Sequence, residues 1–451
     1  MSFADFNQNS QAQGTTLRRT LGMKDLIAYG MAYIAPIAPL TTLGFIWDLS
    51  GGMIALAYLL GAFCMYFTAR SYATMTAEVP CSGSVYGFAR YSLGELPGFI
   101  AGWLLLLDYL LIPALVFLAM SIGLQTVLPG LDRVSCLVVL AAVTLAVNWF
   151  GVSVTTRVSL ISVIMQLAVL LALLTAGLFA LQEGKGTGAL SLAPLYDAAN
   201  LDLSKLVAAT SICVLSFLGF DAISTLSEEV KSDDRRLVGR AIMLVLLICT
   251  LLFVGSAWVL GNLMPGVDID DPSVAIYALL NTQIGPFSAK ALVWVVLLAG
   301  FSNVLPMQVG VTRVLYAMGR DSQLPKPLAR LHPRHGTPHV ALIVSGVLSL
   351  AVAVAMRDDF DTLASFVSFG ALSSFCLLHT SVLVKLAIQG RSRRLFAHWV
   401  VPIVGISVVI AVLVGMSPSA LAMGIVWLVT GACYGLYIHR QGQATLRSTT
   451  V

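Results

Sequence analysis

Charge is what this 451-residue chain has least of. Lys, Arg, Asp and Glu make up 11% of it, against 58% hydrophobic residues. A soluble globular domain carries roughly 25% charge, so a fold surrounded by water is excluded. Ten-residue segments of alternating hydrophobicity are missing too, which excludes a membrane β-barrel. No Cys-x-x-Cys pair occurs. The seven cysteines (Cys64, Cys81, Cys136, Cys213, Cys249, Cys376 and Cys433) are scattered, mostly inside apolar runs. Neither a disulfide framework nor a thiolate metal site is expected from them. The six histidines lack ligand spacing, and His332, His335 and His339 fall in a polar, solvated loop. No metal, cofactor or nucleic-acid partner is expected. The first 22 residues are polar, with no apolar core before a cleavage site, so no signal peptide is read.

What the chain does have is long apolar blocks of the length that spans a bilayer as helix. Twelve candidate spans fall near 24–48, 53–77, 97–125, 133–150, 157–182, 204–228, 238–263, 284–316, 337–356, 361–387, 397–416 and 419–438. The chain therefore reads as an all-α polytopic membrane protein. Segment 284–316 looks too long for one straight span, with Arg313 near a cytoplasmic end. Pro272–Leu280 reads as a short surface helix. Lys and Arg set the orientation. With the N-terminus inside, only five of the 26 basic residues fall outside: Arg133, Lys185, Lys205, Lys290 and Arg357. Arg18, Arg235, Arg236, Arg391, Arg393 and Arg394 are among those on the cytoplasmic side. An even span count returns the C-terminus to the cytoplasm. Eleven acids, among them Asp48, Asp132, Asp270 and Asp358, fall outside, so the outer face is negative. Such a face raises the local concentration of a cationic solute, screened over about 8–10 Å.

Two spans carry helix breakers, and they lie five spans apart. The first holds Pro36 and Pro39; the sixth holds Gly219 in Phe217-Leu218-Gly219-Phe220-Asp221. Interrupted helices at matching positions of two halves point to an inverted-repeat transporter and its binding site. Only two acids lie well inside spans, Asp108 and Asp221. A carboxylate at the bilayer centre costs roughly 2.5–3.5 kcal/mol on insertion scales, so it faces a protein interior or a wet cavity. Asp108 lies roughly 16 Å beyond Pro97 at 1.5 Å per residue. Tyr109 follows it, so the two side chains point about 100° apart. For Asp108, a hydrogen bond between helices and a direct ligand role both stand open.

The prolines shape what the first break can offer. Broken helices commonly present free N–H groups to an anion, but proline has none. Pro36 and Pro39 remove donors and leave carbonyls exposed, which suits a cation better than a carboxylate. Tyr33, Tyr109, Phe217 and Phe220 can add aromatic faces, worth roughly 0.5–2 kcal/mol each to an ammonium.

These motifs resemble the amino acid–polyamine–organocation (APC) transporters along nearly the whole chain. Val79-Pro80-Cys81-Ser82-Gly83-Ser84-Val85-Tyr86 looks like their loop after the second span. Ser216–Asp221, continuing to Ser227-Glu228-Glu229-Val230, looks like their sixth span. Arg313–Asp321 with Leu324-Pro325 looks like the end of their eighth, and is the most specific match. Ala32-Tyr33 with Pro36, Leu107–Leu110 and the Phe-Leu-Gly-Phe-Asp run are most similar to bacterial putrescine importers. The resemblance implies a LeuT-like 5+5 inverted repeat plus two C-terminal helices. The expected division is 1–22 (cytoplasmic tail), 23–182 (first repeat), 183–203 (outer loop), 204–388 (second repeat), 389–439 (last two helices) and 440–451 (cytoplasmic tail). It also implies alternating access in a bacterial inner membrane, proton-driven uptake and substrate contact at Tyr109. The family's Gly-rich run in the first span is replaced here by Ala35–Pro39, which argues against an ordinary α-amino acid. Some proton-coupled relatives have a lysine in the fifth span; here the strongly polar group is Gln166.

The expected substrate is putrescine or a related polyamine, with protons as coupling ion. Asp221, Tyr109, Tyr33, Phe220, Phe217, Gly219, Pro36 and Asp108 are the expected substrate-binding residues. Glu228, Glu229 and Gln166 are the expected gate or coupling residues. Glu228 and Glu229 lie near Lys231, Arg235 and Arg236 and read as an inner gate or a loop anchor. His379, within the tenth span, reads as a hydrogen-bonded core residue, with a proton relay as the sharper option. An amino-acid permease or a substrate/product exchanger is the alternative carrier. An intramembrane aspartyl protease needs Gly-x-Gly-Asp, whereas this chain has Leu-Gly-Phe-Asp. No catalytic residues are expected.

Overall fold

The computed structural model describes residues 19–79, 81, 83–127, 130–150, 152–231, 234–269, 271–333, 335–416 and 418–448. Most of the expected N-terminal tail, with Arg18, and also Pro80, Ser82 and Asp270, lie outside the described residues. Among the described residues the chain is all-helical, apart from one isolated parallel β-bridge between Leu21 and Val230. Each of the twelve expected segments coincides with a helix or a broken helix.

The first span is a bent pair, α1 (Met23–Ile34) and α2 (Ala38–Ser50), angled by 41°. The cause lies in Ala35, Pro36 and Ile37. Ala35 sits at φ 65°, a conformation L-residues avoid. Pro36 has no N–H, so the Ala32 carbonyl loses its helical donor. The Asn303 side-chain nitrogen takes that place, donating to the Ala32 carbonyl at 2.7 Å and to that of Ala299 at 3.0 Å.

The next four spans are α3 (Ile54–Glu78), α5 (Glu95–Val127), α6 (Arg133–Trp149) and α7 (Val152–Gln182); a short helix, α4 (Val85–Leu93), precedes α5. The sixth span is broken as well. Helix α8 (Leu203–Phe217) stops at Leu218, Gly219 takes φ 121°, and the chain resumes as a tighter 3-10 helix over Phe220–Glu229. Only glycine tolerates that backbone angle without strain. A β-carbon on Gly219 would also lie 2.3 Å from Cδ1 of Tyr33. The two breaks are therefore packed against each other.

The rest comprises α9 (Leu237–Leu263), α10 (Ala275–Gln283), α11 (Pro286–Arg320), α12 (His339–Ala355), α13 (Phe360–Val382), α14 (Val401–Val414) and α15 (Pro418–Ser448). A 3-10 turn at Pro272–Val274 and α10 cover the expected surface helix. Wide π-turns occupy Leu383–Gln389 and Phe396–Val400. Segment 284–316 proves to be part of one continuous helix of 35 residues, α11, with Pro306 inside it. The Tyr29 hydroxyl donates to the Pro306 carbonyl at 2.8 Å and ties α1 to the middle of this helix. Helix α15 extends to Ser448, past the point where a tail was expected to begin.

Among the described residues, nine helices are long and apolar enough to cross a membrane, and the bent α1–α2 pair makes ten. Helices α6 and α12 are shorter apolar helices of 17 residues. At 1.5 Å per residue each reaches about 26 Å, the lower end of spanning length.

Candidate functional site

The two breaks meet in the interior, and polar groups converge there. Asp221 lies in the first turn of the 3-10 segment, where free N–H groups favour a negative charge. The Gly219 N–H donates to its Oδ1 at 3.1 Å. The Tyr109 hydroxyl donates to its Oδ2 at 2.6 Å, a length typical of a bond to a charged acceptor. Asp221 and Tyr109 are each only 1% exposed.

Around this pair the aromatic rings close in. Tyr33, from the end of α1, has its ring centroid 6.1 Å from that of Tyr109 and 6.3 Å from that of Tyr29. Phe220 lies against Tyr72 of α3, and Tyr72 against Phe375 of α13, at 6.2 and 5.8 Å. A β-carbon on Gly310 of α11 would lie 3.4 Å from the Tyr29 hydroxyl and 3.5 Å from the rings of Tyr33 and Tyr109. Six helical segments thus supply the lining: α1, α3, α5, the 3-10 segment, α11 and α13.

Asp108 joins the group from α5. Its backbone is pressed against α13, since a β-carbon on Gly370 would lie 2.8 Å from the Asp108 nitrogen. The charged neighbour within its electrostatic reach is Asp221, another acid. Its Oδ1 is buried and has no hydrogen-bond partner among the described residues, and the same holds for the hydroxyls of Tyr33 and Tyr72. Tyr33 is within electrostatic reach of both acids and of Tyr72. An unpaired buried polar atom costs roughly 1–3 kcal/mol. Two such hydroxyls beside two buried acids, one of which has an unpaired oxygen of its own, form a site whose polar groups the protein leaves partly unpaired among the described residues.

The structure does not bring every expected residue to this point. Phe217 packs instead with Tyr58 and Phe253, centroids 6.3 and 5.0 Å away. Pro36 is buried at the break and acts through the backbone it interrupts. Gln166 sits on α7, donating to Ser162 at 3.1 Å and lying 3.5 Å from the Asn303 amide that caps the Ala32 carbonyl, while Ser162 meets Ser302 of α11 in a very short contact. The Gln166 Oε1 is buried without a hydrogen-bond partner among the described residues. His379 is hydrogen-bonded, to Ser71 at 2.8 Å and Thr68 at 3.3 Å. Tyr72 and Phe375 line the site but carry no local sequence signal, because each is one aromatic in an apolar helix without a breaker.

Glu228 and Glu229 find partners on α11. Glu229 accepts from Arg313 Nε at 2.6 Å, and both side chains are 3% exposed. Arg320 donates through both terminal nitrogens to Glu228, at 3.0 and 3.1 Å. The Glu229 carbonyl also accepts from the N–H groups of Thr20 and Leu21, and Lys231 N–H donates to the Leu21 carbonyl. One end of the bundle is thus tied by two ion pairs and a strap of chain. Arg313, expected near a water-facing end, is instead inside this closed layer.

This architecture, with two interrupted spans meeting at buried acids, defines a membrane carrier. The amino acid permease family model matches residues 26–437, so the chain belongs to that family, within the APC superfamily. The chain is 28% identical to the low-affinity putrescine importer PlaP of Escherichia coli, over 93% of both proteins. It is also 28% identical to the branched-chain amino acid permease BcaP of Bacillus subtilis over 95% of both. A methylthioribose transporter of Bacillus subtilis is 24% identical over 93% of this chain and 92% of its own. The family consists of membrane transporters, and the chain is a transporter rather than an enzyme.

Proposed function

We propose that this transporter imports a small organic dication, putrescine or a related polyamine, by alternating access coupled to protons. The observation that carries the reading is the pair of buried acids, Asp108 and Asp221, with unfilled polar atoms around them. One ammonium of the substrate binds Asp221 beside Tyr109 and the break of the 3-10 segment. The aliphatic linker lies along Tyr33, Phe220 and Tyr72. The second ammonium reaches Asp108. Desolvating two ammonium charges is unfavourable unless each finds a partner, and two carboxylates supply them. A single-ended amine leaves one acid unpaired, and an α-amino acid adds a carboxylate to an acidic site.

Both termini lie in the cytoplasm of a bacterial inner membrane in this reading, and the Arg313–Glu229 and Arg320–Glu228 pairs form the inner gate. Substrate enters from the negative outer face, the outer half closes, and these pairs part to release it. The interrupted helices divide the first ten spans into two five-helix halves, 23–182 and 204–388, that rock against each other. The similarity to BcaP favours an amino-acid permease or exchanger as the second reading.

Uptake of radiolabelled putrescine into proteoliposomes, challenged with excess ornithine, lysine, GABA, spermidine and leucine, tests both. Saturable diamine uptake blocked by spermidine and enhanced by an imposed pH gradient is expected. Saturable leucine uptake with no diamine flux would replace the first reading by the second.

A further inference from the structure

Beyond Asp361 the chain contains no Asp or Glu at all. The cations of its last two spans therefore have no acidic side chain of their own segment to pair with. Four arginines at the same end of the bundle are paired with acids: Arg90 with Glu95 and Asp321, Arg240 with Asp234, Arg313 with Glu229 and Arg320 with Glu228. Arg391, Arg393 and Arg394 are exposed, and none makes an ion pair among the described residues. Lys385, one turn earlier, lies 4.2 Å over the ring of Tyr91. Glu78, at the end of α3, is within electrostatic reach of His398 on the far side of this turn.

The turn that carries these arginines is built, not slack. Ser392 N–H donates to the Leu386 carbonyl at 3.2 Å. The Ser392 hydroxyl meets His398 Nδ1 at 2.7 Å and accepts from the Arg394 N–H at 3.2 Å. Arg391 is held at φ 45°, a strained angle for a residue with a side chain. Next to the cations stand Leu395, Phe396 and Trp399, exposed by 70, 56 and 36%. The span that follows and the last one are the least covered by protein, with 28% and 17% of their apolar windows buried. A basic turn, an exposed tryptophan and a thinly covered apolar helix thus follow one another over residues 391–414, the order of residues found where a spanning helix meets phospholipid headgroups.

We propose that the turn Arg391–Arg394 is a binding site for an anionic phospholipid headgroup of the cytoplasmic leaflet. The arginine forks hold the phosphodiester, and the acyl chains lie against Phe396, Trp399 and the exposed face of α14. The site is independent of which substrate the carrier moves; it rests only on the orientation read from Lys and Arg.

The test uses the full chain in nanodiscs of equal phosphatidylcholine and phosphatidylglycerol. Lipids retained after re-extraction into detergent are counted by native mass spectrometry. Wild type is expected to retain phosphatidylglycerol over phosphatidylcholine. Each single Arg→Ala change should weaken that retention about fivefold, and the triple R391A/R393A/R394A variant about 100-fold, from the usual worth of a basic residue at an anionic surface. The triple Arg→Lys variant should retain more than the triple alanine variant and less than wild type, because lysine keeps the charge and loses the two-pronged contact. The single variants keep the test open if the triple one fails to insert. Equal phosphatidylglycerol retention in wild type and the single and triple alanine variants would overturn the proposal. So would a wild-type dimer that the alanine variants convert to monomer without any change in retained lipid, which would assign the turn to a second copy.

Discussion

Replacing Asp221 by Asn keeps its shape and removes its charge. The Gly219 N–H keeps an acceptor in the Asn Oδ1, and the Tyr109 hydroxyl, which now donates to the other oxygen, can turn to accept from the amide NH2, so insertion should be normal while uptake is lost almost completely. Wild-type uptake in D221N, with surface expression measured alongside, would remove this acid from the site. Tyr109→Phe deletes a hydrogen bond to a charged group, worth about 1.5–3 kcal/mol. KM should rise about tenfold or more if Tyr109 orients the carboxylate for substrate; an unchanged KM would leave it a packing residue. Asp221 was visible in the sequence because a charge in an apolar run has a known cost. The state of Asp108 was not, since an orphaned oxygen depends on what five other helices bring near it.

At the scale of elements, the two breaks are local chemistry made cooperative by contact. Gly219→Ala places a methyl where Tyr33 now packs, at a backbone angle that alanine disfavours. It should lower both the thermal midpoint and the uptake rate, whereas a surface Gly→Ala such as Gly255→Ala, which meets nothing within 4 Å, should change neither. The buried pair at the other end of the 3-10 segment behaves differently. Glu229→Gln leaves Arg313 charged and uncompensated, which costs about 3–5 kcal/mol for a buried pair. The unfolding temperature should fall sharply, and the double variant Glu229→Gln/Arg313→Met should recover most of it. A double variant as unstable as the single one would mean that the pair is not the source of the effect. Glu228 and Glu229 were legible as acids at a helix end; their partners on α11, 92 and 84 residues away in sequence, were not.

For the whole molecule, orientation is the testable quantity. Single cysteines placed in loop 183–203 should react with a membrane-impermeant reagent added outside intact cells, while cysteines in the 321–338 loop should react only after permeabilisation. The reverse pattern would invert the bundle and make the tied end the outer gate. Span positions were readable along the chain because a bilayer imposes a length and an apolar composition on every crossing helix, whatever it packs against. The same holds for the two breaks, since proline's missing N–H and glycine's freedom act within a few residues. Tertiary structure alone decided that the breaks touch, that Tyr72 and Phe375 complete the lining, and that Phe217 packs with Tyr58 and Phe253 instead. Side-chain direction around a helix and contacts between distant segments are set by packing, which no local pattern encodes. The sequence by itself determined a membrane bundle with an expensive acid at a break; only the folded chain decided which groups surround that acid.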